Sequence, residues 1–273
     1  MADCYATLSS NGVRAPNEAF PKAKEAALKA LEIDDTLVEA LPSLALIKAA
    51  YDLDYSGADK DFQRAIALNP NYAESHQWYG NTLERMGRLD EAMVENRRAV
   101  ELDPLSLVMN LNLGQDFYFA RKYDQAIEQF RKTIELDPSF PAAHAFLGLT
   151  YVQKSMYKEA MAEFEKAVAI SPDSPTALAR LGYGYAVIGK RADAEKVLDQ
   201  LNRLSKQEYV LPSYVAAIYV GLGDKERALE SLQKAYEDRS IVDTTSIKVN
   251  PLWDPLRSDP RFADLLRRMN LQP

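Results

Sequence analysis

Two histidines, one cysteine and a pair of neighbouring aspartates are the side chains of this chain whose chemistry invites a catalytic or metal-binding reading. An imidazole titrates near neutral pH and serves as base or ligand. His76 and His144, however, stand at the same phase of a 34-residue repeat, two periods apart, so a helical stack would separate them. Helix packing is the role expected of both. Cys4 has no partner at metal-ligand spacing, which excludes a zinc site, and as a lone cysteine it makes no intramolecular disulfide. Asp52 and Asp54, in Tyr51-Asp52-Leu53-Asp54-Tyr55, resemble paired carboxylates for acid–base work. They fall in a connection between two helices, where a solvated turn is expected. Gly182-Tyr183-Gly184 lies inside a helical pattern with no strand before it, so it is no phosphate loop. The chain is therefore expected not to be an enzyme and to need neither a metal nor a cofactor.

The elements that carry these residues are set by repetition. Ala58, Ala92, Ala126, Ala160, Ala194 and Ala228 follow one another at a constant step of 34 residues. Gly80, Gly114, Gly148 and Gly182 keep the same step, as do Pro70, Pro104, Pro138 and Pro172. A period of this length is the mark of stacked helical hairpins. Each unit reads as two amphipathic helices, for example Ala73 to Met86 followed by Leu89 to Leu102. Ala92 and Ala99 are seven apart and share one face of the second helix. A glycine inside a helix costs roughly 1 kcal/mol relative to alanine. Four at one phase therefore imply close helix approach, with the glycine of the first helix meeting the alanine of the second. Each closing proline disfavours helix at the residue before it, and Met86-Gly87-Arg88, Ile188-Gly189-Lys190 and Leu222-Gly223-Asp224 mark the turns within units.

Over nearly its whole length the chain resembles a tetratricopeptide-repeat protein. The match is carried by Trp78-Tyr79-Gly80 through Leu83, Gly87, Ala92 and Ala99 to Asp103-Pro104, and by Leu147-Gly148 through Tyr151, Ala160, Phe164 and Ala167 to Pro172. The resemblance implies an all-α right-handed superhelix, a solenoid of about six complete repeats at 38–72, 73–106, 107–140, 141–174, 175–208 and 209–242. Residues 1–37 then form a truncated first repeat, with Ala2-Asp3-Cys4-Tyr5 as the tail of a helix and a connection through Asn11-Gly12 and Pro16-Asn17. Terminal repeats need polar caps, so the chain is expected to be a piece of a longer protein, with Met1 added by cloning. Residues 243–273 form an extension in which Asp259-Pro260 starts a capping helix whose apolar face is Phe262, Leu265, Leu266 and Met269. Asn96 takes a usually aromatic slot, while Lys206 and Ser240 replace the closing proline, so local irregularity is expected there.

The same resemblance implies a concave groove lined by the first helix of each unit. Gln77 and Asn81 line its polar N-terminal part. Leu111, Gln115, Tyr118 and Phe119, then Leu149, Val152 and Gln153, then Tyr183 and Val187 form an apolar and aromatic strip beyond residue 108. Such strips mark contact surfaces, and their aromatic residues serve as anchors. Of the slots that hold a chaperone-tail carboxylate in some relatives, Asn81 and Asn112 match, but Gln77, Ala142 and Phe146 stand where basic residues belong, so a chaperone-tail receptor is not expected. An asparagine ladder is ruled out too, since its slots hold Trp78, Asn112, Phe146, Arg180 and Tyr214. The run from Leu256-Arg257-Ser258-Asp259-Pro260 to Met269 resembles the ending of large bacterial signalling chains in which repeats follow a winged-helix, nucleotide cyclase or protein kinase domain.

A net charge of −7 argues against a nucleic-acid partner for this region, because phosphate contacts need clustered Lys and Arg. No run of 18 apolar residues is present to span a membrane. The expected function is a non-catalytic scaffold or sensor module that binds a peptide or protein segment in its groove, within a larger bacterial regulator. The compartment, cytoplasm or periplasm, depends on the rest of that parent chain. The alternative is an assembly module forming homo-oligomers through the groove or the incomplete first repeat.

Overall fold

The computed structural model describes residues 16–240 and 246–271. Expectations on Ala2, Cys4, Tyr5 and Asn11-Gly12 therefore lie outside the described residues. Helix α1 (Pro16–Ile33) precedes α2 (Ala40–Ile47), which ends in a π-helical turn at Lys48–Asp52 and turns back at Leu53 into α3 (Tyr55–Leu68). Asn17, expected in a connection, already belongs to α1. Five hairpins follow: α4 (Ala73–Met86) with α5 (Leu89–Leu102), α6 (Leu107–Phe119) with α7 (Tyr123–Leu136), α8 (Pro141–Gln153) with α9 (Tyr157–Ile170), α10 (Pro175–Val187) with α11 (Arg191–Leu204), and α12 (Pro212–Gly221) with α13 (Lys225–Glu237). A 3-10 turn at Pro251–Leu256 and α14 (Pro260–Arg268) come last. Each hairpin packs its two helices together, the second helix leans on the next first helix, and successive first helices lie side by side. An all-α, right-handed superhelix results, with no strand among the described residues.

Every hairpin turns at a left-handed residue, and those residues also recur every 34 positions. Gly87, Gly189 and Gly223 take φ of 83°, 79° and 75°, while Leu53, Arg121 and Ser155 take 57°, 60° and 57° at the matching slots. This conformation lets the next amide reach back over the last turn, as from Arg88 N–H to Leu83 O at 2.9 Å and from Met156 N–H to Tyr151 O at 2.9 Å. Side chains cap the opposite ends. Asp54 accepts from Gly57 N–H, Ser174 from Ala177 N–H, and Asp259 from Arg261 N–H just ahead of Pro260. The aspartate pair thus has structural work. Asp54 caps α3, and Asp52 pairs with Lys24 at 2.5 Å.

All six alanines of the 34-residue column are buried. The glycine column corrects one detail of the expected packing. A Cβ built on Gly80 would lie 2.6 Å from the Asn96 side chain, and one on Gly148 would lie 2.6 Å from Phe164. Gly80, Gly114 and Gly148 therefore make room for the side chain four residues after the alanine, not for the alanine itself, while Gly182 makes room for Ile218 and Val197. Lys206 in place of proline has the expected consequence: α11 ends in irregular turns and the next first helix starts only at Pro212, with 10 residues against 13 in α10.

Both histidines join consecutive units. His76 places Nδ1 2.6 Å from Glu95 and Nε2 3.0 Å from the carbonyl of Pro70; His144 does the same with Glu163 and Pro138 at identical distances. In the intervening unit Asn110 donates to the Pro104 carbonyl at 3.0 Å and accepts from Gln129 at 2.9 Å. Both partners of His76 are acceptors, so the ring satisfies both only as the imidazolium. Burial opposes that charge, yet the bonds to Glu95 and Pro70 outweigh it and raise the His76 pKa.

The C-terminal segment does more than seal the last repeat. Phe262, Leu265, Leu266 and Met269 are buried as expected, with α14 against α13. The residues ahead of α14 cross the trough. Asp254 receives a bond from Arg121 at 2.9 Å, Ser246 bonds Glu84, and Trp253 is buried within the main core. Asn270 then donates to the Leu53 carbonyl at 3.1 Å and Arg239 to the Tyr51 carbonyl at 3.4 Å. Leu53, Gly87 and Arg121, left-handed turns of three successive units, each meet this region, Gly87 through the Lys248 side chain.

Candidate peptide-binding groove

Five successive first helices, α4, α6, α8, α10 and α12, contribute one residue each to a column at 34-residue steps: Trp78, Asn112, Phe146, Arg180 and Tyr214. Because a helix in register presents the same face in each unit, this column lines one continuous cavity of about 540 Å³. In the sequence it serves only to exclude an asparagine ladder. The signal that could have found it is the period itself, applied to positions whose residue types differ.

The sequence-selected residues divide between that cavity and the core. Gln77, Asn81, Leu111, Gln115 and Phe119 line the cavity. Tyr118 does not: its ring is fully buried, edge-on to Phe119 and Phe146, with its hydroxyl 3.5 Å from Asn250 of the C-terminal segment. Leu149, Val152 and Tyr183 are buried in the main core, the same core that takes in Ile247, Leu252 and Trp253. Gln153 and Val187 are half-buried and lie outside the cavity. The apolar strip beyond residue 108 is thus divided between the cavity wall and the core, and the C-terminal segment reaches it at Tyr118. What lines the cavity is mixed in polarity and runs from Trp78 on α4 to Arg180 on α10 and Tyr214 on α12.

The electrostatics of the open part are uneven. Burial raises the Glu84 carboxyl to about 7, with the Ser246 hydroxyl and Arg85 only partly offsetting it. Behind it, burial and the nearby Glu84 push Asp116 well above the ordinary range, although Asn96 donates to it at 2.8 Å. Asn96 therefore has a polar duty in its otherwise aromatic slot. Further along the column, Arg180 is 6% exposed, and its guanidinium carbon stands 5.7 Å from the Phe146 ring centre. Burial lowers its pKa, and the acidic groups nearest it are the tyrosine hydroxyls of Tyr214, Tyr118 and Tyr183. Tyr214 is itself engaged with Thr176 at 2.7 Å. No group of three or more metal-ligating side chains is present among the described residues. No helix among them is long and apolar enough to cross a membrane.

Comparison with known proteins agrees with the repeat architecture. Tetratricopeptide-repeat family profiles match residues 62–93, 111–175 and 151–211. Over 104 residues the chain is 34% identical to the transcriptional regulator HilA of Salmonella typhimurium, a stretch that makes up 38% of this chain and 19% of HilA. The chain thus spans about a fifth of the length of the curated relatives it matches. Among solved structures, a chain of the APC/C hetero-tetramer Cut9-Hcn1 superposes with a TM-score of 0.65 at 17% identity, over 97% of this chain and 48% of that one. The type IV pilus biogenesis factor PilW gives 0.59 at 22% identity, over 74% and 92%. At such identities the likeness is one of fold.

Proposed function

Because the chain belongs to the tetratricopeptide-repeat family, a family of protein–protein interaction modules, we propose that it holds a segment of a partner protein in the open part of its trough. The observation that supports this reading is the five-helix column around a cavity of about 540 Å³, a volume in the range of ligand sites. Trp78 at the open end and Phe146 at its middle are large anchors on rigid helices, the residue types that dominate binding energy. The match to part of a transcriptional regulator supports placing these repeats in a regulatory chain, where seating a partner would bias the rest of that protein.

A displayed library of random 12-residue peptides tests the site. Selected peptides are expected to bind the wild-type chain and to lose at least tenfold affinity with Trp78→Ala. The exposed-face change Val94→Ala should leave binding untouched. Selected peptides that bind Trp78→Ala as well as wild type would move the interaction off this surface. Light scattering over a concentration series checks self-association, and a monomer at all concentrations removes the homo-oligomer alternative.

A further inference from the structure

Three residues put polar or acidic groups where sister units carry apolar or uncharged ones. At 34-residue steps from Glu84 stand Tyr118, Val152, Ala186 and Val220, and at the same step from Asn96 stand Phe130 and Phe164. Asp116 falls where sister units have Thr82, Thr150 and Gly184. All three are buried, and they are linked: Asn96 donates to one oxygen of Asp116, and the Glu84 charge acts on Asp116. The other Asp116 oxygen and the Asn96 oxygen have no partner. This pair thus offers Glu84 spare acceptors and no cation, so a charge formed on Glu84 finds no relief from the core behind it.

On its other side Glu84 meets the C-terminal segment. The Ser246 hydroxyl donates to its carboxyl, and both residues line the cavity. Ser246 has φ of 37°, in the left-handed region that suits glycine, so its backbone is strained. Ile247 follows, 2% exposed, and then Lys248, whose side chain lies against Gly87. Beyond them the chain is firmly held. Arg257 donates to the carbonyls of Lys248 and Asn250 at 2.7 and 3.3 Å, and Trp253 is buried. Ser246–Lys248 is therefore a short lip on the cavity, strained at its tip and fastened there by one bond to an acid.

We propose that Glu84 and Ser246 form a proton-operated latch: the lip Ser246–Lys248 lies shut against α4 while Glu84 carries its proton, and lifts when that proton is lost. The latch is a property of the chain itself and does not depend on what the trough holds. An ionised Glu84 under the closed lip is dry, and lifting the lip gives it water. Burial raises its carboxyl to about 7 from 4.5, so the closed form holds the proton more tightly and low pH favours closing. Closing is expected to weaken up to about tenfold per pH unit until about pH 7, and no further above it. Nearby cations do not replace the proton. Arg85, beside Glu84 on α4, only partly offsets its burial. Lys48 on α2 is taken by Asp61 at 2.5 Å, Arg88 by Asp59 of α3 at 2.7 Å and Glu91 of α5 at 2.6 Å, and Arg121 after α6 by Asp254 at 2.9 Å.

Methyl NMR of the full chain at Ile247, between about pH 5.5 and 8.5, tests the latch. The Ile247 signal is expected to be core-like at the acid end and to move toward a solvent-exposed position over the interval in which the Glu84 carboxyl carbon titrates. Glu84→Gln keeps an acceptor for Ser246 but cannot ionise, so its Ile247 signal is expected to stay core-like at every pH. Ser246→Ala removes the fastening and is expected to give the exposed position even at the acid end. An Ile247 signal that ignores pH in the wild-type chain would overturn the latch, as would Ser246→Ala behaving like wild type. So would a pH response that survives Glu84→Gln, since that variant retains His76 and His144 and the response would then belong to an imidazole.

Discussion

The two halves of the trough were built by the same 34-residue unit and have met different fates. Toward the turn ends of α8 and α10 the inner face is apolar and shares one core with the segment around Trp253, so Tyr183, Leu149 and Val152 are interior residues. Along α4 and α6 and toward the starts of α8, α10 and α12 the inner face is mixed, with Gln77, Asn81, Glu84, Arg85 and Arg180 beside Trp78 and Phe146, and it lines the cavity. The difference follows from burial free energy, roughly 25 cal/mol per Å² of apolar surface. A tethered segment of the same chain covers an apolar strip at little entropic cost, whereas a polar face offers it no comparable gain. An aromatic inner face in a repeat protein is therefore not automatically a free docking surface. Residues beyond the last repeat must be considered as its occupant first.

That contrast breaks most sharply at two tryptophans. Trp253→Ala, on the covered side, is expected to destabilise by about 3–5 kcal/mol, whereas Trp78→Ala, half-buried on the open side, should cost about 1 kcal/mol; denaturant melts of the two variants decide. Equal losses would mean that the C-terminal segment contributes little to the fold. Glu84, at the seam between the halves, gives the next effect. Its carboxyl titrates near 7 when folded and near 4.5 when free, so the native state binds the proton more tightly. The stability it contributes is complete below about pH 4.5, falls as pH rises, and is gone above about 7. Glu84→Gln should thus stabilise by about 1–3 kcal/mol at pH 8 and little at pH 4, read from melts across that window. A gain independent of pH would rule out a titrating Glu84.

Ala126→Leu, behind both halves in the interhelical column, is expected to cost about 1–3 kcal/mol by overpacking. A neutral melt would contradict the burial of that alanine. The smallest effect belongs to the turns. Ser155 takes a left-handed conformation that three sister turns give to glycine, so Ser155→Gly should stabilise by about 0.5–1 kcal/mol; unchanged melting would show that this slot carries no strain.

What could be read in advance was what repeats. The hairpin of α4 and α5 was legible to the residue, because apolar spacing, the turn glycine and the closing proline agree there. Left-handed turns at Arg121 and Ser155 were not, since no glycine announces them. The crossing of the trough was illegible for a different reason. Its bonds join residues far apart in the chain, such as Ser246 with Glu84, and no period relates them. For the same reason Tyr118 looked like an exposed anchor, although the residues that bury it lie outside the repeats. Arg180 was visible only as a break in a ladder, and its isolation emerges once the surrounding side chains are in place.

The bond from Asn270 to the Leu53 carbonyl, spanning 217 positions, has a consequence for how the molecule comes into being. A ribosome releases the early hairpins long before the residue that ties them to the finish, so a nascent trough is an open spring whose pitch is free to vary. Only when the final helix is delivered does the spring become a clasped bracelet. Any partner that captured the early coils during synthesis would meet a wider and greasier mouth than the mature protein presents.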